Sequence, residues 1–168
     1  REGGEYTGNV DGSAIVSADQ VTLRDMTVTG DLIVAEGVGE GHIVLDSVTV
    51  AGKLIVRGGG ENSVIIKGSS NVSSVVVERR DGQVRLSVED QADVRNVLVD
   101  EGADAVKIDG AVEAVNVAGA GAQVQIGGAV GTVTVSESAA DAALSVDKGA
   151  SVGTVISGAD NVTLSVSG

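Results

Sequence analysis

The fold is decided by two consecutive stretches, QVTLRDMTVTGDLIVAEGVGEG at residues 20–41 and HIVLDSVTVAGKLIVRGGGEN at residues 42–62, which align with each other. Each stretch contains two triplets in which apolar residues stand first and third. Successive side chains of a strand point to opposite faces, so the outer residues of a triplet share one face. The apolar spacings of three and four that a helix needs do not recur. The pattern therefore predicts short β-strands.

The same pattern continues to the end of the chain. The first triplets of the units begin at Val21, Ile43, Val64, Val84, Val106, Val124, Leu144 and Val162. The second triplets begin at Leu32, Leu54, Val75, Val97, Val115, Val133 and Val155. Single apolar residues lie between them at Val48, Val72, Val94, Val112, Val130 and Val152. A period near 20 residues built from such short strands indicates one coil of a solenoid per repeat.

These repeats predict an all-β protein, a right-handed parallel β-helix of about seven to eight coils of 18–22 residues. The handedness follows from the preference of parallel crossover connections. We expect residues 20–168 to form the β-helix and residues 1–19 to be an irregular N-terminal segment or a partial cap.

The composition fits a narrow core and restricts the possible partners. The chain has 25 glycines, no proline, cysteine, phenylalanine or tryptophan, and one tyrosine, Tyr6. Disulfides and thiolate metal sites are therefore excluded. The net charge of −13 argues against nucleic acid and against adsorption to anionic membranes. No stretch has the length of a membrane span, so membrane insertion is not expected.

Charged residues at equivalent repeat positions alternate in sign. Arg24, Asp46 and Lys67 follow successive first triplets, and Asp31 and Lys53 precede successive second triplets. Stacking would bring these opposite charges together. The other interpretation is a random distribution of solvated surface charges.

One outward-facing column is apolar. The middle residues of four consecutive second triplets are Ile33, Ile55, Val76 and Leu98, here called the apolar stripe. Such stripes often mark interfaces, so we expect this face to pack against a second rod or a neighbouring domain. Alternatively, the N-terminal segment or a loop of the same chain covers it.

The sequence offers little for catalysis. Its densest group of charges, a candidate carbohydrate cleft, also fits a solvated corner with surface ion pairs; it comprises Glu78, Arg79, Arg80, Asp81, Arg85, Glu89, Asp90, Asp93 and Asp100. His42 is the only histidine, so a triad or histidine metal site is not expected. We predict no catalytic, cofactor-binding or metal-binding residue.

Residues 30–88 resemble the β-helical repeat regions of Firmicutes surface proteins, which usually carry S-layer homology modules. The segments that support this resemblance are Gly30–Val34, Val56–Ser63 and Asp81–Arg85. The resemblance implies an extracellular location at a bacterial cell wall and a structural or adhesive role. This chain lacks an S-layer homology module.

The combined expectation is a non-catalytic scaffold element of a bacterial cell-surface or S-layer-associated protein, and self-assembly is a further expectation. The expected partner is a second copy or a neighbouring surface domain, and cell-wall glycan is a further candidate. The alternative function is a carbohydrate-binding or polysaccharide-cleaving β-helix module.

Overall fold

A computed structural model describes residues 3–61 and 63–167. It confirms the parallel β-helix, since the strands stack in parallel as a β-solenoid of about eight turns. The strands are β1 (Gly4–Thr7), β2 (Ala14–Val16), β3 (Val21–Val28), β4 (Leu32–Val34), β5 (Ile43–Val56), β6 (Ile65–Lys67), β7 (Asn71–Val77), β8 (Gln83–Val88), β9 (Asp93–Val99), β10 (Ala105–Asp109), β11 (Ala111–Val117), β12 (Gln123–Ile126), β13 (Ala129–Val135), β14 (Ala143–Val146), β15 (Ser151–Ser157) and β16 (Thr163–Val166). One 3₁₀ turn covers Glu36–Val38.

The strands form two stacks along the solenoid. The first stack contains β1, β3, the start of β5, β6, β8, β10, β12, β14 and β16. The second stack contains β2, β4, the end of β5, β7, β9, β11, β13 and β15. Strand β5 is 14 residues long and belongs to both stacks because it continues around a corner. Each coil therefore contributes one strand segment to each stack.

The core is a column of small aliphatic side chains. Equivalent outer residues of the second triplets pair directly, for example Leu32 with Leu54 and Leu54 with Val75. These three side chains are fully buried, and so are the single residues Val48 and Val72. Fully burying one such side chain stabilises a fold by roughly 1.5–3 kcal/mol before chain entropy is counted. Repetition of this small contribution replaces the aromatic anchors of a compact core.

The N-terminal segment is more regular than the sequence suggests. Strand β1 pairs in parallel with β3, and β2 pairs with β4, so these residues form the first coil. The expected irregular segment or cap is therefore in part a solenoid coil. Its strand GEYT has glycine where later coils have a branched aliphatic residue, which hides the triplet pattern. The described residues of this segment, 3–19, extend the stack and do not lie over the apolar stripe.

Two registers differ from the sequence alignment. The alignment places Val48 opposite Val72, but Val50 pairs with Val72, and the register shifts between Val50 and Lys53. The alignment places Val64 opposite Val84, but Ile65 pairs with Ser87 and Ile66 with Val88, a displacement of two residues. The backbone N–H groups of Arg85 and Ser87 donate to the carbonyl oxygens of Gly60 and Val64. Gly60 and Val64 are thus four residues apart in the chain, whereas their partners in the next coil, Arg85 and Ser87, are two residues apart. These extra residues belong to the corner that follows the glycine run at 58–60.

Candidate functional site

The apolar stripe lies in one straight column on the outside of the second stack. Ile33 pairs with Ile55, Ile55 with Val76, and Val76 with Leu98. Ile15, which the sequence alignment missed, pairs with Ile33 and continues the column into the first coil. The sequence signal for it was the triplet Ala-Ile-Val in β2.

The stripe is less exposed than an isolated column of aliphatic side chains would be. Ile33, Ile55 and Leu98 are half-buried, and Val76 is only 7% exposed although it lies outside the core cluster. Coils about 4.8 Å apart shield outward side chains with the residues above and below. Ile15, which lies in the first coil, is 68% exposed.

Polar columns flank the stripe on both sides. Residues two positions away along a strand point to the same side of the sheet, so Lys53 and Arg57 flank Ile55. Ser74 and Glu78 flank Val76 in the same way. Arg57 and Glu78 are therefore neighbours on adjacent coils, and Nε of Arg57 lies 2.7 Å from Oε2 of Glu78. This contact raises the pKa of Arg57 above its ordinary value, first through the hydrogen bond and then through the opposite charge.

A shallow charged groove adjoins this ion pair. It encloses about 300 Å³ and crosses several coils, with charged side chains as its whole lining: Glu36, Arg57, Glu78, Arg80, Asp100 and Glu101. The groove holds four acids and two arginines. It could form hydrogen bonds with hydroxyl groups, because carboxylates accept and guanidinium groups donate.

The structure divides the densest charged segment of the sequence among different places. Glu78, Arg80 and Asp100 line the groove. Arg85 belongs to the first stack, where its Nε lies 2.5 Å from Oδ2 of Asp109. Other members have short contacts of their own: Glu89 with Ser87 Oγ, Asp90 with the N–H of Gly68, and Asp93 with Arg95. The nine residues therefore do not form a single cleft.

Arg79 lies inside a corner and does not line the groove. Its side chain is 8% exposed, and its guanidinium donates to the carbonyl oxygens of Gly59 and Asp81 and to the carboxylate of Glu40. A third carbonyl, that of Gly39, lies 3.4 Å away. These contacts give Arg79 a structural role in the corner.

The predicted charge alternation holds in part. Nε of Arg24 lies 3.4 Å from Oδ2 of Asp46, its partner in the β3–β5 register. Asp31 instead accepts the backbone N–H of Lys53 at 2.7 Å. Neighbouring coils are thus joined both by side-chain ion pairs and by carboxylates that bind the next backbone.

His42 and metal chemistry offer no further site. His42 lies at a corner, where its backbone N–H donates to Oδ1 of Asp19 at 2.8 Å and its Nδ1 lies 3.8 Å from the same oxygen. Across residues 3–61 and 63–167, no group of three or more histidine, aspartate or glutamate residues is arranged to hold a metal ion. The same residues contain no helix that is long and apolar enough to cross a membrane.

The first and last described coils expose apolar surface. A concavity of about 520 Å³ opens at the first coil, and its lining includes Tyr6, Ile15 and Leu23. At the opposite end, Leu164 is 52% exposed in β16 and Ile156 is 54% exposed in β15. Each of these strands has a neighbouring coil on one side only among the described residues.

No protein-family model, curated protein or solved structure matches this chain.

Proposed function

We propose that this chain is a non-catalytic structural element, a rigid scaffold or spacer of a bacterial cell-surface or S-layer-associated protein. The single observation that carries the proposal is the continuous parallel pairing of both stacks over about eight turns. Hydrogen bonds in such ladders run along the solenoid axis, so stretching or bending the rod must break several at once. A repeated core of fully buried Val, Ile and Leu resists opening of any single coil.

The extracellular location rests on two sequence features. The net charge of −13 favours solubility and is compatible with secretion. The resemblance of residues 30–88 to surface-protein repeats supports a location at the cell wall. Labelling intact source cells with antiserum, before and after external protease treatment, tests this location. Signal that persists after protease treatment and appears only in lysed cells would contradict it.

The charged groove supports a second candidate function, carbohydrate binding or polysaccharide cleavage. Its acids and arginines lie on neighbouring coils, where a polysaccharide could cross the rod. Cleavage would need one carboxyl group as acid or base beside a basic side chain, and Glu78 and Arg80 are the candidates. Glu78 is already paired with Arg57, which favours the structural interpretation.

An activity and binding assay separates the two functions. The purified chain is incubated with neutral and acidic polysaccharides and with peptidoglycan, and new reducing ends, unsaturated uronates and retention on insoluble glycan are measured. The structural proposal predicts no product above a heat-denatured control and no retention.

Product or retention that is lost in Glu78→Gln would replace the scaffold proposal with the carbohydrate function. Glu89→Gln is the matched control, because Glu89 lies outside the groove and contacts Ser87.

A further inference from the structure

The outer face of the second stack has a pattern of charges that is complementary to itself. Its centre is the apolar stripe, and its two sides are polar columns. On one side, Arg57 and Glu78 stand on adjacent coils and carry opposite charges. On the other side, Asp31, Lys53, Ser74 and Asn96 precede the successive second triplets. A second copy of the chain can therefore place either opposite charges or like charges against these residues, depending on its orientation and register.

Two symmetric arrangements bring this face against itself. A closed dimer of identical chains needs a two-fold axis, and for face-to-face packing the axis must lie between the two sheets. If the axis runs along the solenoid, the two polar columns face each other at the same coil, and Lys53 meets Arg57 of the other copy. If the axis runs along the strands, each column faces itself with the coil order reversed.

Two registers of the second arrangement oppose unlike charges. An axis midway between the coils of Ile33 and Ile55 would bring Asp31 against Lys53, but only four coils would overlap, and Asp31 already accepts the backbone N–H of Lys53. The other register lies one coil further along. An axis at the coil of Ile55 would bring Arg57 against Arg57 of the other copy. An axis at the coil of Val76 would bring the two Glu78 side chains together. An axis midway between these coils brings Arg57 of each copy against Glu78 of the other. Ile55 then meets Val76, and Ile33 meets Leu98. Like charges in direct opposition destabilise a packed face, so the charge pattern excludes an axis at either coil. The overlap of six coils then favours the axis between Ile55 and Val76 over the one between Ile33 and Ile55.

We propose that two copies of this chain pack through the second stack with antiparallel solenoid axes, about a two-fold axis between the coils of Ile55 and Val76. This interface deepens the proposed scaffold function and rests on it. Nε of Arg57 makes the contact with Glu78 of its own chain, which leaves the terminal guanidinium nitrogens for the carboxylate of the second copy. The four side chains form a ring in which each charge lies beside opposite charges.

The overlap indicates a reversible dimer. Six coils face each other over roughly 29 Å, and five strand positions span roughly 16 Å, which gives about 450 Å² of face per copy. That area lies below the standard interface of about 800 Å² per partner. We therefore expect dissociation at concentrations on the order of micromolar.

One contact in this arrangement is unfavourable, and it supplies a test. Asp100 of each copy lies opposite Ala35 of the other, beside the exposed Glu36. Removing the charge with Asp100→Asn should tighten the dimer by roughly two- to fivefold, because a like-charge contact at the rim is lost. An opposite or absent effect of Asp100→Asn would contradict this register.

The deciding experiment is light scattering after size exclusion, over a hundredfold dilution. The wild-type chain should change from a dimer toward its single-chain mass of 16.6 kDa. Arg57→Glu places two carboxylates at the central pair and Glu78→Arg places two guanidinium groups there, so each variant alone should dimerise at least tenfold more weakly. An equimolar mixture of the two variants should dimerise again, because the charges then alternate between chains. Rescue by mixing cannot arise from repair of the ion pair within one chain.

A matched control tests whether the central coils are responsible. Ile156 lies on the same column and is 54% exposed, but its coil falls outside the six that overlap. Ile156→Ser should therefore leave dimerisation unchanged, whereas Ile55→Ser should weaken it severalfold.

A wild-type chain that stays monomeric, or a mixture that stays monomeric while both variants unfold at the wild-type temperature, would overturn this interface. Neither result bears on the non-catalytic role, which the polysaccharide assay tests separately.

Discussion

Arg79 illustrates how much one residue can contribute to a corner. A buried guanidinium is tolerated only when its donors are satisfied, and here they bind two carbonyl oxygens and a carboxylate. One carbonyl, that of Gly59, belongs to the preceding coil, and Gly39 of the coil before it lies within 3.4 Å. A single side chain therefore joins three coils at the corner where the third coil takes up its extra residues.

Arg79→Ala should lower the free energy of unfolding by about 2–4 kcal/mol, because buried carbonyl oxygens lose their donors and a cavity remains. Urea denaturation followed by circular dichroism measures the change. Arg80→Ala is the control: Arg80 is the next residue but is exposed, so its loss should cost less than about 0.5 kcal/mol. Equal effects of the two substitutions would show that the corner does not depend on the buried guanidinium.

At the scale of the element, the corners decide how closely successive coils approach. The backbone at Gly128 passes so near the coil below that a Cβ there would overlap the carbonyl oxygen of Gly110. Gly121 is different, because it has a φ of +68° but open space around its Cβ position. One glycine is thus required by contact with another coil and the other by its own dihedral angle.

This difference predicts unequal costs for the same substitution. Gly121→Ala should cost about 1 kcal/mol, the strain of a left-handed conformation. Gly128→Ala should cost about 3 kcal/mol, since the stacked backbones must separate. Thermal and urea unfolding of both variants measures the ratio. Similar losses for the two would mean that the Gly110–Gly128 approach does not limit the spacing of the coils.

The elements that the sequence predicted are those with a repeating apolar pattern. The triplets at Leu32, Leu54 and Val75 are stacked in the expected order, because alternation and a period near 20 leave one economical arrangement. The sequence did not predict the first coil, because β1 carries Gly4 and Tyr6 in place of two branched residues. The sequence did not predict the register shift between β6 and β8, because extra residues in a corner do not change the apolar pattern.

At the scale of the whole molecule, stacking changes what a surface column means. The sequence placed the apolar stripe correctly on one line, but it could not show that neighbouring coils half-bury three of its members and bury Val76. It also grouped nine charges that the two stacks and the corners then separate, with Arg79 buried and Arg85 on the other stack. Order along the chain specifies the coil, whereas the exposure of a side chain depends on which coils lie above and below it.

The same residue type should therefore contribute more to the free energy of unfolding in an inner coil than in the last described coil. Leu144 and Leu164 are direct partners in the β14–β16 register, yet Leu144 is 3% exposed and Leu164 is 52% exposed. Leu144→Ala should lower the free energy of unfolding by about 2–5 kcal/mol, because it opens a cavity between two packed coils. Leu164→Ala should cost less than about 1 kcal/mol, since much of its side chain already contacts water. Urea denaturation of this chain measures both. If the two losses are equal, the stability of the rod is distributed over the whole molecule and does not depend on contacts between neighbouring coils.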